Sequence, residues 1–456
     1  MKIKYTISSG ISIVTVFIMA CSLIACKKFL DKKPDEKLVV ISSVKDMQAL
    51  LDDYNKMNYN DQAVTEICSD NFYLADATFN ARKETDRNLY TWSAVNVFDA
   101  QLNAWADTYN TIYQANLVID RSEALSGQIN DETSLASIRA QALFHRGREF
   151  LNAVTVWAKD YNPLTASVDL GIPLPVEPDF NIPSKRSNLE ESYNQIIKDL
   201  SNAAGGLPLQ TSTPFRPSKA AAFGLLARAC LYKKDYIRAE LYADSCLKIK
   251  STLMDYNLLN ASANFPIAQL NTEVIFESKM IPASQILQSR AYINPELYGL
   301  YADSDLRKTI FFKAGALDFI FKGNYEGGDT FFNGIATDEI LLIRAECAAR
   351  NGKLNIAVSD VNLLRKSRIK SAVFAALNPA STADALTIIK RERRMEFPLR
   401  GLRWMDIKRW NAEGDGIILT RKHNSITYTL QPNDLRYAIA LPEDIVYLSG
   451  MTQNPR

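Results

Sequence analysis

Glu392 and Glu396 are the two acidic residues best placed to do chemistry, because they lie one turn apart in a helical pattern. Such a pair could hydrolyse a glycosidic bond, provided that one carboxyl group stays protonated near neutral pH. Nearby cations favour the ionised form of an acid, and here they are Arg391, Arg393, Arg394 and Arg400. We therefore interpret both glutamates as members of an ion-pair lattice, together with Arg403, Asp406 and Arg409.

Other catalytic signatures are missing from the sequence. Of the two histidines, His145 and His423, neither lies in an H-E-x-x-H spacing or near a G-x-S-x-G motif. The glycine-rich segment 323–328 lacks the Gly-Lys-Ser/Thr ending of a phosphate-binding loop and predicts a turn. Asp303 and Asp305 do not complete a calcium loop, so we interpret them as a turn or helix cap. We expect no enzymatic activity and no cofactor.

The cysteines offer no metal site by their spacing. Cys68, Cys230, Cys246 and Cys347 form no C-x-x-C pair. The last three fall within helical apolar patterns, where a free cysteine behaves as a small buried hydrophobe. We expect neither a zinc site nor an essential disulfide framework.

The composition excludes several classes of protein. The chain has 456 residues, of which 47% are hydrophobic, enough to bury a large core. It has 53 Lys+Arg against 51 Asp+Glu, and two of the lysines, Lys2 and Lys4, lie at the N-terminus. The rest of the chain is therefore neutral. This argues against a protein that binds nucleic acid by neutralising phosphates, and against a polybasic membrane-surface protein.

The first 25 residues have the layout of a signal peptide. Lys2 and Lys4 precede an apolar run over residues 11–25, which ends in Leu-Ile-Ala-Cys at residues 23–26. This ending is similar to the lipobox of bacterial lipoproteins and makes Cys26 the predicted site of lipid attachment. Cys21 is a weaker competitor. An uncleaved anchor helix is the alternative, although the run is barely long enough to span a bilayer.

The elements that must position these side chains are mostly helices. Apolar residues at three- and four-residue spacing predict long helices over residues 105–119 and 135–157. Ser187 and Glu190 have capping-box spacing at the start of a third helix, and Thr337 can cap a fourth. Five prolines between residues 161 and 183 predict an extended connection.

Two helix pairs resemble tetratricopeptide units, which pack two antiparallel helices through small residues. The first pair has a turn at Lys234-Asp235-Tyr236, and the second has a turn at Asn351-Gly352. Because the units are far apart in sequence, we expect a helical scaffold interrupted by long insertions rather than a continuous solenoid. The insertion around residues 255–335 is predicted to hold loops and short strands.

Several motifs, in order along the chain, together resemble the SusD/RagB family of surface lipoproteins. Phe29-Leu30-Asp31 follows the predicted lipid cysteine, and Trp105, Tyr109, Ile112 and Asn116 keep the family's spacing. Further matches are the segments 216–222, 225–228, 342–346, 392–397, 401–410 and 453–455. The resemblance therefore covers residues 26–456, with an N-terminal region over 26–230 and a C-terminal region over 270–456 expected to form one compact body.

The resemblance implies a mainly α, SusD-like fold on a tetratricopeptide-type scaffold with long loop-rich insertions and few short strands. It also implies a function: a lid on a SusC-like TonB-dependent outer-membrane transporter that helps to deliver a ligand, usually an oligosaccharide. The membrane contact would be the N-terminal lipid, on the cell surface. A peptide-capturing lid remains an alternative, as does a lipid-anchored tetratricopeptide scaffold that binds no nutrient.

Glycan binders usually offer exposed aromatic planes with polar groups at the rim, so we looked for aromatic residues in predicted loops. The candidate ligand-binding residues are Asp70, Asn71, Tyr73, Trp92, Tyr292 and Tyr301, with Phe72, Tyr90, Tyr298 and Tyr325 beside them. Trp105, Trp157, Trp404 and Trp410 lie in helical patterns and are expected in the core. Lys408 lies one turn from Trp404 and could form a cation–π pair with it.

Overall fold

A computed structural model describes residues 41–129, 131–179 and 181–456, so Cys21, Cys26 and the predicted signal peptide lie outside the described residues. Helices dominate, and all strands are two to five residues long. This confirms the mainly α class. None of the helices in these ranges is long and apolar enough to cross a membrane.

Seventeen α-helices occur in the described ranges. The first ten are α1 Val44–Leu51, α2 Tyr54–Met57, α3 Val64–Ile67, α4 Asp76–Asn80, α5 Glu84–Tyr90, α6 Ala104–Ala124, α7 Glu132–Trp157, α8 Leu189–Gly206, α9 Lys219–Tyr232 and α10 Tyr236–Ile249. The other seven are α11 Pro295–Tyr298, α12 Arg307–Phe311, α13 Thr337–Arg350, α14 Leu354–Lys366, α15 Thr382–Glu396, α16 Arg403–Ala412 and α17 Glu443–Ser449. The predicted helices at 105–119 and 135–157 are α6 and α7, each longer than predicted.

Within the part of the chain that the structure describes, the strands form six two-stranded antiparallel sheets. Their members are β1 Phe72–Leu74 with β6 Ala291–Ile293, β2 Leu170–Pro173 with β3 Arg186–Asn188, β4 Val274–Phe276 with β10 Ile335–Ala336, β5 Lys279–Met280 with β9 Phe331–Phe332, β7 Phe312–Ala314 with β8 Phe319–Phe321, and β11 Leu419–His423 with β12 Ile426–Leu430. The predicted extended connection over residues 161–183 therefore contains β2, and its partner β3 follows the connection.

The long helices contact one another in succession: α6 packs on α7, α7 on α8, α8 on α9, α9 on α10, α10 on α13, and α13 on both α14 and α15. The two predicted tetratricopeptide units are α9–α10 and α13–α14, each joined by a three-residue loop. They touch through α10 and α13, so the stack is continuous in space although the insertion interrupts it in sequence. Residues Val44–Arg456 form one compact unit.

Two predicted helix caps differ from the structure. The capping box of α8 uses Asn188 and Glu191, one residue after the predicted pair, and the Asn188 side chain accepts from the Glu191 amide at 2.8 Å. Thr337 is the first residue of α13 rather than its cap. Its hydroxyl instead donates to the Glu273 carbonyl oxygen at 3.3 Å, because both groups are buried and must satisfy their hydrogen bonds internally.

Candidate functional site

Glu392 and Glu396 form a buried lattice with three arginines. Glu392 accepts from Arg307 Nη2 at 2.8 Å and from Arg365 Nη1 at 2.5 Å. Glu396 accepts from Arg307 Nη1 at 2.9 Å and from Arg368 Nε at 2.8 Å. Burial raises the pKa of Glu392, but Arg307 and Arg365 outweigh it and lower the pKa below the ordinary value. The ion-pair interpretation is confirmed, but the partners are not the arginines that are near in sequence. Arg393, Arg394 and Arg400 pair with Asp406, Asp70 and Asp338, and Arg391 donates to the Leu300 carbonyl oxygen.

A second lattice joins α13, α15 and α16. Arg409 donates to both carboxylate oxygens of Glu346, at 2.5 and 2.6 Å, and Arg393 donates to Asp406 at 3.0 and 3.1 Å. Lys408 does not form the predicted cation–π pair with Trp404. Its Nζ donates instead to the carbonyl oxygens of Thr155 and Ala158, at 3.1 and 2.6 Å.

The four tryptophans that were expected in the core are buried, namely Trp105, Trp157, Trp404 and Trp410.

Both histidines are packed against aromatic rings. His145 is buried between Phe144 and Phe276, and burial lowers its pKa well below the ordinary value. His423 stacks on Phe79 with ring centroids 4.1 Å apart, and its Nδ1 lies 3.1 Å from Asp76. Both side chains are buried, His145 with 1% and His423 with 2% of its surface exposed.

The remaining candidates for metal binding have structural partners. Asp305 accepts the Arg307 amide at 3.0 Å at the start of α12, which is a turn-and-cap role, and Asp303 pairs with Lys308 at 2.6 Å. Cys68, Cys230, Cys246 and Cys347 are free and buried. In the described ranges, no group of three or more His, Cys, Asp or Glu side chains could hold a metal ion.

The expectation of exposure is wrong for several of the aromatic candidates and for Asn71. Trp92, Tyr301 and Tyr325 are each 2% exposed, and Asn71 and Tyr90 are fully buried. Trp92 Nε1 donates to the Cys68 carbonyl oxygen at 2.9 Å, and the Tyr301 hydroxyl donates to that of Met395 at 2.7 Å. The rings of Trp92 and Tyr301 are therefore packed in the interior, and the polar atom of each has a backbone partner.

Tyr73 and Tyr292 are accessible and lie together. They are directly opposite each other in the β1–β6 pair, with ring centroids 5.6 Å apart and planes inclined by 31°. The Tyr73 hydroxyl donates to Asp318 Oδ2 at 3.2 Å. Burial and then the Asp318 carboxylate raise the pKa of Tyr73 to about 12, so the hydroxyl stays protonated. Both rings are half-buried.

A second pair of rings adjoins the first. Tyr298 at the end of α11 stacks on Phe319 of β8, with centroids 3.7 Å apart and planes inclined by 14°. Strand β8 also contacts β6, which carries Tyr292. All four rings are half-buried, and Leu317 beside them is 71% exposed. We call Tyr73, Tyr292, Tyr298 and Phe319 the aromatic face.

Asp70 lies next to the aromatic face but its charge is already engaged. Arg403 donates to both Asp70 oxygens, at 2.8 and 2.9 Å, and Arg394 Nη2 lies 3.3 Å from Oδ1. Burial would raise the pKa of Asp70, but the two guanidinium groups hold it below the ordinary range. Asp70, Tyr73 and Trp92 together line a cavity of about 220 Å³.

Sequence reasoning missed two residues of this site, Asp318 and Phe319. They belong to the hairpin of β7 and β8, in which aromatic residues flank a turn at Gly315. A Cβ atom at Gly315 would lie 2.7 Å from the Asp318 carbonyl oxygen and 3.3 Å from Tyr292 Cε1, so glycine permits the close approach. The aromatic residues around one glycine were the available signal.

Family profiles match both ends of the chain. A profile described as "Starch-binding associating with outer membrane" matches residues 28–231. A second, described as "SusD family", matches residues 337–444. A search of curated proteins gives no significant match.

Solved structures show the same fold. A SusD superfamily protein from Bacteroides thetaiotaomicron has a TM-score of 0.74 at 20% identity, with 91% of this chain and 100% of the other covered. A putative sugar-binding protein from Bacteroides vulgatus has a TM-score of 0.74 at 20% identity, covering 91% and 99%. The surface glycan-binding protein A from Bacteroides fluxus has a TM-score of 0.70 at 20% identity, also covering 91% and 99%. With the two profiles matching in order, the chain belongs to the SusD/RagB family.

Proposed function

We propose that this protein is a surface lipoprotein, anchored through Cys26, that binds an oligosaccharide on the aromatic face and acts as a lid on a TonB-dependent outer-membrane transporter. The family profile for starch-binding proteins associated with the outer membrane supports this function. Similar structures described as sugar-binding and glycan-binding proteins support the ligand class.

The geometry of the aromatic face is the observation that carries the proposal. Sugar rings present flat patches of C–H groups beside hydroxyls, so a binding surface needs accessible aromatic planes and nearby hydrogen-bonding groups. The face has four half-buried rings from β1, β6, α11 and β8. The Tyr73 and Tyr292 hydroxyls and the Asp318 carboxylate supply the polar groups. Tyr73, Tyr292 and Phe319 belong to paired strands and Tyr298 stacks on Phe319, which fixes the positions of the rings before a ligand arrives.

The proposed chemistry is binding without bond breaking. Glu392 and Glu396, the pair with the spacing for glycoside hydrolysis, lie buried and ion-paired with Arg307, Arg365 and Arg368. Arg307 and Arg365 lower the pKa of Glu392, which disfavours its use as a proton donor. A lid that closes over bound ligand would hold it near the transporter entrance, so that the work done is capture and a hinge motion.

The ligand class is tested by affinity electrophoresis of residues 27–456 through gels that contain plant, host or microbial polysaccharides. We expect one glycan to retard the protein, and Tyr292→Ala or Tyr298→Ala to weaken the binding about tenfold. Tyr447→Ala is the matched control, because Tyr447 is 87% exposed on α17 and should leave retardation unchanged. Equal retardation of all variants would refute the site. Binding of a peptide digest, with no glycan retarded, would favour the peptide-capturing lid.

The anchor and the partner need a separate test in outer membranes. We expect the tagged full-length chain to co-purify with a TonB-dependent transporter and to carry lipid on its first mature residue. Cys26→Ala should release the protein from the membrane, whereas Cys21→Ala should not. If only Cys21→Ala releases the protein, the lipid is attached at Cys21 rather than at Cys26. If the protein purifies without any transporter, its proposed function as a lid is refuted.

One groove keeps the scaffold alternative open. Between α10 and α14 there is a groove of about 650 Å³, whose lining includes Ile237 and Leu241, 74% and 60% exposed. Apolar residues exposed in a tetratricopeptide groove are suited to a protein partner. If Ile237→Ser abolishes the recovery of co-purified proteins while no glycan or peptide binds, the scaffold function is the better description.

A further inference from the structure

Arg421 is unusual among the buried arginines. The described residues include ten buried arginines, and nine have a carboxylate at 2.5–3.0 Å, namely Arg146, Arg148, Arg228, Arg307, Arg368, Arg393, Arg400, Arg403 and Arg409. Arg421 is 5% exposed and has no described carboxylate within 4.0 Å. Burying a charge without a counter-ion is costly, so the exception needs an explanation.

The Arg421 guanidinium group lies against two aromatic rings but has no described carboxylate as a counter-ion. Its carbon lies 3.4 Å from the Tyr90 ring centroid and 4.7 Å from that of Trp92. Nη2 donates to the carbonyl oxygens of Ile67 and Ser69, at 2.8 and 2.5 Å, while Nη1 has no described partner. Two rings and two carbonyls orient the group, and one donor nitrogen remains unused.

The acids nearest to Arg421 are committed to other groups. Asp70 is bound by Arg403 through two hydrogen bonds. Glu66 accepts from Ser69, Asn71 and the Gly401 amide, at 2.9, 2.5 and 3.0 Å. No carboxylate of the described residues therefore contacts Arg421, although the charges of Asp70 and Glu66 act on it from a distance.

Arg421 lines the cavity of about 220 Å³ that also contains Asp70, Tyr73 and Trp92. This volume is below the range of about 300–1,000 Å³ that is usual for drug-sized ligands, so it suits one ring rather than an extended chain. Tyr73 belongs to both the cavity and the aromatic face. A chain bound on the face could therefore place one unit in the cavity.

We propose that the Arg421 cavity receives a sugar unit that carries a carboxylate, and that this carboxylate is the missing counter-ion of Arg421. The inference rests on the proposed function, because the rest of the oligosaccharide would lie on the aromatic face. Arginine suits this role, because its guanidinium group stays charged and the unpartnered Nη1 can donate to a carboxylate oxygen. The cavity then selects acidic over neutral glycans, while the aromatic face supplies contact area to both.

Isothermal titration with matched sugars tests the proposal. The probes are oligogalacturonate and oligoglucuronate, each against its carboxyl-reduced neutral counterpart, with sodium acetate and sodium sulfate as simple anions. We expect at least one acidic oligosaccharide to bind about tenfold or more tightly than its neutral counterpart, and Arg421→Met to remove the difference. Lys248→Met, which removes an exposed charge on α10, should preserve it.

The outcomes separate the two proposals. Equal binding of acidic and neutral sugars, weakened by Tyr292→Ala but not by Arg421→Met, refutes the acidic unit and leaves the proposed function standing. Binding of sulfate or acetate as tight as that of the uronates refutes the sugar and leaves a simple anion site. Failure of every saccharide in this set to bind, with a polysaccharide gel that still retards the protein, refutes the acidic unit alone; failure in both assays refutes both proposals.

A stability measurement guards against a variant that merely misfolds. Arg421→Met strands the carbonyl oxygens of Ile67 and Ser69 but no carboxylate, so its urea midpoint should fall by less than that of Arg409→Met. Arg409→Met strands Glu346 and Asp406 and should unfold at a clearly lower concentration. Equal destabilisation by both substitutions would mean that Arg421 is already neutralised within the fold and would refute the proposal.

Discussion

Replacing Glu396 by glutamine tests the structural interpretation of the buried acidic pair. Glu396 is fully buried and accepts from Arg307 and Arg368 at 2.9 and 2.8 Å. Glutamine keeps the shape and one acceptor oxygen, but it removes the charge and turns an amide group toward a guanidinium. Breaking a buried ion pair costs about 3–5 kcal/mol. Because Glu392 still pairs with Arg307 and Glu273 with Arg368, we expect the lower end, about 3 kcal/mol.

Urea unfolding followed by tryptophan fluorescence measures this loss. With a urea m value of about 3 kcal/mol per molar, the unfolding midpoint should fall by about 1 M while the slope stays unchanged. Asp303→Asn is the control, since Asp303 is exposed and its pairing should not affect the midpoint. Glycan retardation by Glu396→Gln should match that of the wild type. An unchanged unfolding midpoint would refute the structural role of the ion pairs. If the wild-type protein hydrolyses a glycan and the variant does not, Glu396 is a reacting group.

Three further substitutions test other parts of the structure. Burial and the adjacent Glu277 carboxylate raise the pKa of Glu326 to about 8, so the folded protein holds a proton that the unfolded chain releases above about pH 4.5. Stability should therefore fall as pH rises from about 5 to 8, and Glu326→Gln should flatten that slope in urea midpoints measured across this range. Gly224→Ala would place a Cβ 2.7 Å from Ile335 Cγ2 and should cost about 1–3 kcal/mol in thermal unfolding, whereas Gly205→Ala, with open space around it, should cost nothing. Asn188→Ala removes the cap of α8 and should cost about 1 kcal/mol by the same measurement.

The helical scaffold could be predicted because its signals are local. Apolar spacing located α6 and α7, and small residues on two successive helices, with a turn between them, located each tetratricopeptide unit. The contact between α10 and α13 could not be predicted in this way. It joins segments separated by the whole insertion, and periodicity within each helix does not say which neighbour covers its apolar face.

The exposure of the aromatic candidates, in contrast to the helices, could not be predicted from local sequence. Tyr73 and Tyr292 were in the predicted set and lie side by side, but Trp92 and Tyr301 were also in it and are buried. All four lie in short segments with similar composition. Whether such a ring faces water depends on which distant segment crosses it, and the Cys68 and Met395 carbonyls that bind Trp92 and Tyr301 are not visible as partners in the sequence.

The β1–β6 pair makes the aromatic face depend on both halves of the polypeptide. Asn294, next to β6, donates to the carbonyl oxygen of Asp70, 224 residues earlier, at 3.0 Å. During synthesis the first strand leaves the ribosome long before its partner exists, so no nascent or truncated chain can display the paired tyrosines. Forming this pair also requires closure of a very long loop, which places it among the slower steps of folding. Only a complete and fully folded chain could then bind the ligand, so a binding assay also measures complete folding.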